Sequence, residues 1–296
     1  MIGDGTTTSV DDLAAAGQMT RHEVIAQVLK EAQPYIESLR DRTLVIKLGG
    51  STLENQRDAL EDIVWLRGLG ARPVLIHGGG AEINEWLGRL GIPSRFERGL
   101  RVTDAQTLDV VRMVLTGKVN GELVCMLGQL GGRAVGLTGL DGALLRARVL
   151  APTLGFVGVV TSVDPGLVDT LSAAGYIPVV APLALGEDGA ILNVNADDAA
   201  ADLARGLGAA KLLYLSDVPG ILDASGALLS TLTDAQVRAL IADGTIYGGM
   251  IPKAEACLRA LETTGRVHIM DGREPHVLIR ELFTHEGAGT MIERAR

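Results

Sequence analysis

From residue 43 onward, short apolar runs alternate along the chain with longer segments in which apolar residues recur at helical spacing. The apolar runs cover 43–48, 73–76, 133–138, 176–181, 211–216 and 267–270. Strands that are separated by helices in this way are typical of βαβ units. The pattern therefore predicts an α/β fold around a largely parallel central sheet.

Two regions depart from this rhythm. Residues 144–149 and 155–163 have the pattern of two strands with no helix between them, which predicts a small antiparallel hairpin beside the main sheet. Near the N-terminus, Thr20 and Glu23 have the spacing of a capping box, and an apolar stripe of helical spacing follows as far as Leu39. Pro34 lies inside this stripe, so we expect the helix to bend or break near its middle. Residues 1–19 are polar and aperiodic, which predicts a mobile tail.

Three glycine-rich turns carry the candidate chemistry: KLGG at 47–50, HGGG at 77–80 and GGMIPK at 248–253. Glycine lets backbone N–H groups approach an anion closely, and a helix N-terminus adds partial positive charge. One lysine at a strand end is usually only solvated. Two lysines in such turns, Lys47 and Lys253, instead predict phosphoryl transfer, in which they neutralise the charge on the transferring group. Because the turns follow or adjoin strand ends, one crevice at the carboxyl edge of the sheet could collect them.

The run NVNADD at 193–198 marks the predicted start of another helix. Asn193 and Asn195 are two residues apart, so we expect them to project to the same side as the chain enters the helix. Asn195 or Asp197 could simply cap this helix, and capping is compatible with a second role. A carboxylate of ordinary pKa is a weak base at neutral pH, so we interpret Asp197 as a residue that orients the two lysines.

Arg101 precedes a long predicted helix and follows the HGGG turn. It could be an ordinary surface residue, yet a guanidinium group fits a carboxylate bidentately, which makes Arg101 a candidate anchor for a carboxylate substrate. We interpret His77 as structural, because the glycines that follow it can supply the N–H donors. The sequence has neither a GxxxxGK[ST] motif nor a cluster of metal-ligand spacing. Magnesium is therefore expected to arrive bound to the nucleotide.

Composition narrows the class of protein. The chain has 296 residues, 47% hydrophobic and 21% charged, a length that predicts about two domains or two lobes of one fold. A net charge of −9 and an aromatic content of 3% argue against a nucleic-acid partner. No apolar run approaches a membrane span, and the first residues lack the pattern of a secretory signal. Cys125 and Cys257, which we expect to be buried free thiols, suit a reducing compartment, so we predict a cytoplasmic protein.

These motifs, together with GLRVTD at 99–104, LSDVPG at 215–220 and GTMI at 289–292, resemble the acetylglutamate kinases of the amino acid kinase superfamily. The match runs in order from about residue 43 to 292. The resemblance implies an open three-layer αβα sandwich with two lobes, of which 43–210 would bind N-acetyl-L-glutamate and 211–296 would bind ATP. It also implies a phosphotransferase with a carboxyl group as acceptor, which phosphorylates the γ-carboxylate of acetylglutamate for arginine synthesis.

Roles for individual residues follow from the same resemblance. The implied catalytic residues are Lys47, Lys253 and Asp197. Those implied to bind acetylglutamate are Gly79, Gly80, Arg101, Asn193 and Asn195, and Gly78 would add a further N–H donor to phosphate or acyl oxygens. Those implied to bind ATP, which would carry its own Mg²⁺, are Gly49, Gly50, Ser216, Asp217, Gly220, Gly249 and Met250.

The N-terminal segment, 1–42, is similar to the extension of arginine-inhibited, hexameric members of the family. In those enzymes the N-terminal helices interlace between dimers, so the resemblance implies a homo-oligomer, a hexamer built as a trimer of dimers, with L-arginine as an inhibitor. The arginine contacts that it implies are Tyr35, Lys211, His268, Glu281 and Gly287. Two points stay open: the helix could pack on its own subunit, and a nitrogen-regulatory protein, which binds some members, could be a further partner.

One position departs from the family pattern. Leu140 precedes Asp141 where many relatives have a lysine, which puts in doubt any charge contribution from this loop. Two other functions stay open from the sequence: a kinase for another acylated acidic amino acid, such as an aminoadipate derivative, and a non-catalytic arginine-sensing scaffold. The RVT run at 101–103 favours acetylglutamate over the first. The presence of Lys47, Asp197 and Lys253 together argues against the second.

Overall fold

The computed structural model describes residues 20–49, 57–97, 99–284 and 286–295. These residues belong to two compact units, one that ends at Arg40 and one that begins at Asp41. The predicted mobile tail, 1–19, and Gly50 lie outside the described residues.

The described part of the first unit contains one helix, α1 (Arg21–Leu39). Its N-terminus has the predicted capping box, in which Glu23 N donates to Thr20 Oγ1 at 3.4 Å and Thr20 N donates to Glu23 Oε2 at 2.7 Å. The predicted break at Pro34 is wrong, because α1 continues through that residue as a single helix. Proline removes only one backbone donor, and side-chain bonds such as that from Gln33 Nε2 to Glu37 Oε1, at 2.8 Å, continue across it.

The second unit contains the remaining elements. Its helices are α2 (Arg57–Gly68), α3 (Gly80–Arg89), α4 (Ala105–Arg112), α5 (Asn120–Gln129), α6 (Gly166–Ala173), α7 (Ala196–Gly206), α8 (Asp234–Ala242), α9 (Met250–Ala260) and α10 (Val277–Phe283), with a π-helix, Met113–Val119, between α4 and α5. Its strands are β1 (Thr43–Leu48), β2 (Arg72–His77), β3 (Phe96–Glu97), β4 (Leu100–Arg101), β5 (Ala134–Thr138), β6 (Leu145–Val149), β7 (Val157–Val163), β8 (Ile177–Ala181), β9 (Leu183–Gly186), β10 (Ile191–Val194), β11 (Lys211–Ser216), β12 (Thr231–Thr233), β13 (Arg266–Asp271) and β14 (Thr290–Glu293).

Eight strands form the main sheet, in the order β12-β14-β13-β11-β1-β2-β8-β5. Every neighbouring pair in it is parallel except β13 and β14, so the predicted α/β class with a largely parallel sheet is confirmed. Leu44, Val45 and Ile46 of β1 are fully buried, as expected of a strand that has helices on both faces.

Four further strands, β6, β7, β9 and β10, close into a small barrel. The predicted hairpin is confirmed, because β6 and β7 pair antiparallel. The sequence did not separate β9 from β8, since only Pro182 lies between two buried apolar runs. Strand β10 leads directly through Asn195 into α7, so this barrel positions the start of that helix.

The strand order reverses at β1, whose neighbours β2 and β11 are far apart in the chain. The ends of these strands are joined by backbone hydrogen bonds. Gly78 N donates to Leu48 O at 3.0 Å, and Gly49 N donates to Leu215 O at 3.2 Å. Ligands of open parallel sheets bind at such a switch point, beyond the carboxyl ends of the strands.

The two cysteines differ from each other. Cys257 is buried, as predicted, whereas Cys125 is exposed. The buried positions of α5 are Asn120, Leu123 and Leu127, and Cys125 lies two residues from Leu123, on a different face of the helix. Within the described residues, no helix is both long and apolar enough to cross a membrane.

Candidate active site

One carboxylate joins two lysines at the carboxyl edge of the sheet. Asp197 Oδ1 lies 2.8 Å from Lys47 Nζ, and Asp197 Oδ2 lies 2.7 Å from Lys253 Nζ. Lys47 and Lys253 are each only 8% exposed. The structure therefore brings together the three residues that the sequence identified as catalytic candidates, although they come from β1, α7 and α9.

Two helix N-termini meet at this position. Asp197 lies in the first turn of α7, where Asn195 is the N-cap and its Oδ1 accepts from Asp197 N at 2.9 Å and Asp198 N at 3.1 Å. Lys253 lies in the first turn of α9, which packs against α7. A carboxylate is favoured at a helix N-terminus and an ammonium group is not. Lys253 therefore places a positive charge at a helix N-terminus, where the helix dipole disfavours it.

Burial and charge act in opposite directions on this trio. Burial alone would raise the pKa of Asp197, but the charges and hydrogen bonds of Lys47 and Lys253 outweigh it and hold that pKa below its ordinary value. Burial lowers the pKa of Lys47, and the nearby Lys253 lowers it further, against the attraction of Asp197. Two ammonium groups share one carboxylate, so the buried site has an excess of positive charge and favours an anion.

The glycine after Leu48 makes room for the Lys47 ammonium group. A Cβ atom at Gly49 would lie 2.0 Å from Lys47 Nζ. Since Nζ is the end of a flexible side chain, a larger residue would displace the ammonium group rather than unfold the strand. Gly49 N is already bonded to Leu215 O, so the contribution that the structure supports for Gly49 is space rather than a donor.

The HGGG turn is held from beneath by a buried histidine. His77 Nδ1 lies 2.8 Å from Gly78 O, and Asn120 Nδ2 lies 3.1 Å from His77 Nε2. These partners require the tautomer in which Nδ1–H donates to the carbonyl and Nε2 accepts from the amide. Burial lowers the pKa of His77 to about 4, which keeps the ring neutral. Since α3 begins at Gly80, the N–H groups of its first turn have no partner within the helix and are available to an anion.

Acid should weaken the protein through His77. The folded state resists protonation down to about pH 4, whereas the unfolded chain takes up the proton below its ordinary pKa of 6.5. Stability should therefore fall as the pH drops from 6.5 to 4, by about 3 kcal/mol in the free energy of unfolding. Urea unfolding at several pH values should show a shallower fall for His77→Gln than for the wild type. Equal slopes in the two proteins would contradict this assignment.

Arg101 and Asn193 lie near the barrel. Arg101 ends β4 and is 9% exposed. Asn193 Nδ2 donates to Thr103 Oγ1 at 3.3 Å, and Phe156 N donates to Thr103 O at 2.7 Å, so β7 and β10 support the segment that follows Arg101. The two asparagines have different partners, since Asn195 Oδ1 caps α7 whereas Asn193 Nδ2 donates to Thr103 Oγ1.

Two of the nucleotide-site candidates, Gly220 and Met250, line a cavity of about 680 Å³, together with residues such as Val218 and Tyr247. Gly220 has φ 148°, and a Cβ there would lie 2.4 Å from Thr290 Oγ1, so this turn requires glycine. Ser216 ends β11, and its Oγ donates to Asp217 Oδ1 at 3.3 Å. Gly249 is the N-cap of α9. Cavities of this size are typical of small-ligand sites.

Four of the five arginine-contact candidates are adjacent. Lys211 Nζ lies 3.3 Å from His268 Nε2, and His268 Nδ1 lies 2.6 Å from Glu281 Oε1. A Cβ at Gly287 would lie 2.8 Å from Glu281 Oε2. Burial and the charge of Arg266 together lower the pKa of Lys211 to about 8, against the attraction of Glu281. The fifth candidate, Tyr35, belongs to the first unit.

Comparison with known proteins identifies the family. Residues 42–271 match the model of the amino acid kinase family. The chain belongs to the amino acid kinase family. Within it, the chain belongs among the acetylglutamate kinases: it is 50% identical to the acetylglutamate kinase of Acaryochloris marina, over 90% of this chain and 96% of that protein. It is 49% identical to that of Gloeobacter violaceus, over 90% and 92%.

Solved structures agree on the fold of this amino acid kinase. An N-acetylglutamate synthase from Neisseria gonorrhoeae, complexed with coenzyme A and N-acetyl-glutamate, superposes with a TM-score of 0.80 and 29% identity over 92% of this chain. This chain spans only 64% of that synthase. The same synthase complexed with coenzyme A and L-arginine gives a TM-score of 0.78 at 27% identity, over 91% of this chain and 65% of the synthase. A Giardia lamblia carbamate kinase bound to AMP-PNP, at 15% identity and a TM-score of 0.62 over 86% of this chain and 99% of that one, shares the fold.

The sequence did not identify Tyr214 as part of the site in this kinase. Tyr214 is fully buried, its hydroxyl donates to Asp197 O at 2.9 Å, and its ring centre lies 5.2 Å from Lys253 Nζ. The only available signal was an aromatic residue within the otherwise aliphatic end of β11. Tyr214 thus supports both Asp197 and Lys253 from below.

A separate group of metal-ligand residue types occurs elsewhere in the kinase. In the part of the chain that the structure describes, Asp58, Glu61 and His276 have ligand atoms within 4.8 Å of one another. His276 Nδ1 is bonded to the buried Asp62 at 2.7 Å, and Asp62 Oδ2 also accepts from Ile279 N at 3.4 Å. These contacts account for the group as part of the packing of α2 against α10.

Proposed function

We propose that the protein transfers the γ-phosphoryl group of ATP to the γ-carboxylate of N-acetyl-L-glutamate, which forms N-acetyl-L-glutamyl 5-phosphate for arginine biosynthesis. The observation that carries this proposal is the buried trio of Lys47, Asp197 and Lys253, in which one carboxylate aligns two ammonium groups. Such a site suits a transferring phosphoryl group, whose charge is spread over three equatorial oxygens. The acetylglutamate kinases that resemble this chain along most of its length support the choice of substrate.

The reaction requires positioning more than acid–base chemistry. A carboxylate oxygen of the substrate attacks the γ-phosphorus, the bond from that phosphorus to the β,γ-bridging oxygen breaks, and ADP leaves with the electron pair. The attacking carboxylate is already ionised at neutral pH, so no general base is needed. Lys47 and Lys253 stabilise the charge from two sides, and Asp197 keeps both ammonium groups in place.

We assign the acetylglutamate side to the residues around α3 and β10. The N–H groups of Gly79 and Gly80 bind acyl or phosphate oxygens, Arg101 binds a substrate carboxylate, and the Asn193 amide binds the substrate. Asn195 contributes by capping α7, which fixes Asp197. In this proposal, 43–210 forms the acetylglutamate lobe and 211–296 forms the ATP lobe.

We assign ATP to the cavity around Gly220 and Met250. Ser216, Asp217 and Gly249 do not line this cavity but directly precede residues that do, and we assign them to the same nucleotide site. Both oxygens of Asp197 are bound to lysines, so this carboxylate has little capacity left for a metal ion. The residues therefore fit a Mg²⁺ ion that would be carried by the nucleotide, where it would neutralise phosphate charge.

We further propose that L-arginine inhibits this enzyme at Lys211, His268, Glu281 and Gly287; a contact from Tyr35 stays a prediction. Lys211 is partly buried, His268 and Glu281 are buried, and hydrogen bonds join the three. The similar synthase fold has been solved with L-arginine. Exposed Ile25, Val28 and Leu29 on α1 suit an interface between copies of the chain, and a hexameric trimer of dimers stays a prediction. A cytoplasmic location and a nitrogen-regulatory protein partner stay predictions.

The decisive experiment traps acyl phosphate as a hydroxamate in an ATP-dependent assay. Acetylglutamate should give far higher turnover than an acylated aminoadipate, and adding arginine to the intact chain should lower it. Removal of residues 1–40 should weaken that inhibition. The absence of any hydroxamate with acetylglutamate would refute the proposed function, whereas turnover that arginine does not affect would refute only the regulatory part.

A further inference from the structure

The Arg101 guanidinium group is surrounded by neutral acceptors. Nη1 donates to Asn84 Oδ1 at 2.8 Å and to Ser94 Oγ at 2.6 Å, and Nη2 donates to Gly80 O at 3.3 Å. Ser94 Oγ in turn donates to Asn84 Oδ1 at 3.1 Å, which closes a small triangle of hydrogen bonds. The Phe96 ring covers one face of the guanidinium group, with its centre 4.7 Å from Cζ.

The charge of Arg101 is not neutralised by this environment. Among the described residues, no carboxylate forms an ion pair with Arg101, although the residue is only 9% exposed. Burial lowers the pKa of Arg101. Charged side chains that are this buried are normally paired. Since the described residues around Arg101 hold it only through neutral groups, its charge is available to an anionic ligand.

The hydrogen-bond pattern leaves one donor of the guanidinium group without a partner. A guanidinium group has five N–H bonds, and the three contacts of Arg101 involve only Nη1 and Nη2. Nε–H has no partner among the residues that the structure describes. This donor is available to a carboxylate, which accepts charge-assisted hydrogen bonds from a guanidinium group.

We propose that Asn84 and Ser94 are positioning residues that hold the Arg101 guanidinium group while leaving its charge for a carboxylate of the substrate. This inference rests on the proposed function, since acetylglutamate is the carboxylate that Arg101 would bind. Asn84 lies on α3, the helix that begins at the HGGG turn, so its contact also fixes Arg101 relative to the N–H groups of Gly79 and Gly80. Helix α3 thereby holds in fixed relative positions the group that binds the substrate carboxylate and the N–H groups that bind acyl or phosphate oxygens.

Replacing Asn84 with aspartate tests whether this residue has to be neutral. An aspartate at position 84 would accept the same bonds from Arg101 and Ser94, and its added negative charge would bind Arg101 more strongly. A purely structural role would therefore survive Asn84→Asp. A role in presenting an unneutralised cation would not, because the new carboxylate competes with the substrate for the same charge.

The experiment compares steady-state kinetics and thermal stability of the full-length wild type with Asn84→Asp, Asn84→Ala and Ser94→Ala. Gln129→Glu, which adds the same charge at an exposed position of α5, is the matched control. We expect Asn84→Asp to raise the KM for acetylglutamate about tenfold or more, with the KM for ATP within about twofold of wild type and Tm not lowered. The two alanine variants should raise the same KM by smaller factors, and Gln129→Glu should change none of these values.

An unchanged KM for acetylglutamate in Asn84→Asp would overturn the inference, and so would an equal rise in the KM for ATP. If Asn84→Asp proved unstable, the alanine variants would decide, since neither adds a charge, and wild-type KM values in both would overturn the inference. These failures differ from failure of the proposed function. In that case the wild type itself would not phosphorylate acetylglutamate, and both proposals would be lost together.

Discussion

Lys253→Ala is expected to lower kcat by about 10²-fold or more, because in the proposed mechanism it removes one of two charges that stabilise the transferring phosphoryl group. The KM for acetylglutamate should change much less, since Lys253 contacts Asp197 rather than the Arg101 region. Kinetics with saturating ATP, in the hydroxamate assay or by release of ADP, provides the measurement. A loss confined to kcat identifies an interaction that is made mainly in the transition state.

A matched control separates this effect from a general loss of positive charge. Lys118 lies on the π-helix and pairs with Glu122 at 2.7 Å, with its side chain 38% exposed. Exposed pairs of this kind contribute little, so Lys118→Ala should retain nearly wild-type turnover. Near wild-type turnover in Lys253→Ala would instead remove Lys253 from the mechanism. Lys253→Arg tests geometry, since it keeps the charge but changes the shape of the group.

Local pattern was sufficient to predict most of the fold. The parallel strands were visible because each is a short apolar run bounded by turn residues, and β1 is a clear case. The edge strand β12 and its neighbour β14 were not predicted, because each has only three or four residues and mixed polarity. A break at Pro34 was expected because local propensity reflects the hydrogen bond that proline removes. It does not show whether the remaining hydrogen bonds of α1 are enough to keep the helix continuous.

The sequence identified candidate-site residues that lie in glycine-rich turns, but not those that act through contacts with residues distant in the chain. Lys47 and Lys253 stood out because glycines surround them in the sequence. Asn84, Asn120 and Tyr214 did not, since each acts through a residue far away in the chain, as when Asn120 bonds to His77. These long-range contacts depend on the order of the strands in the sheet, which a short sequence motif does not determine.

Asp197→Asn should have the second large effect, on both turnover and stability. Asparagine keeps the shape of the side chain but leaves two buried ammonium groups close together without a counter-charge. Breaking a buried ion pair by removing one partner typically costs about 3–5 kcal/mol. The free energy of unfolding at pH 7, measured in urea without ligands, should therefore fall by about 3 kcal/mol, and kcat should fall because the lysines are no longer aligned.

The neighbouring Asp198 is the natural control for this variant. Asp198 pairs with Arg259, but their side chains are 37% and 40% exposed, so Asp198→Asn should cost well under about 1 kcal/mol in the free energy of unfolding.

The pH dependence of stability gives an independent check on the role of Asp197. The pKa of Asp197 is depressed, so its contribution to stability is present at neutral pH and is lost as the pH falls through that value. Asp197→Asn should therefore lose less stability on acidification than the wild type, and an Asp197→Asn protein that matched the wild type in both stability and turnover would show that the carboxylate does not hold the lysines.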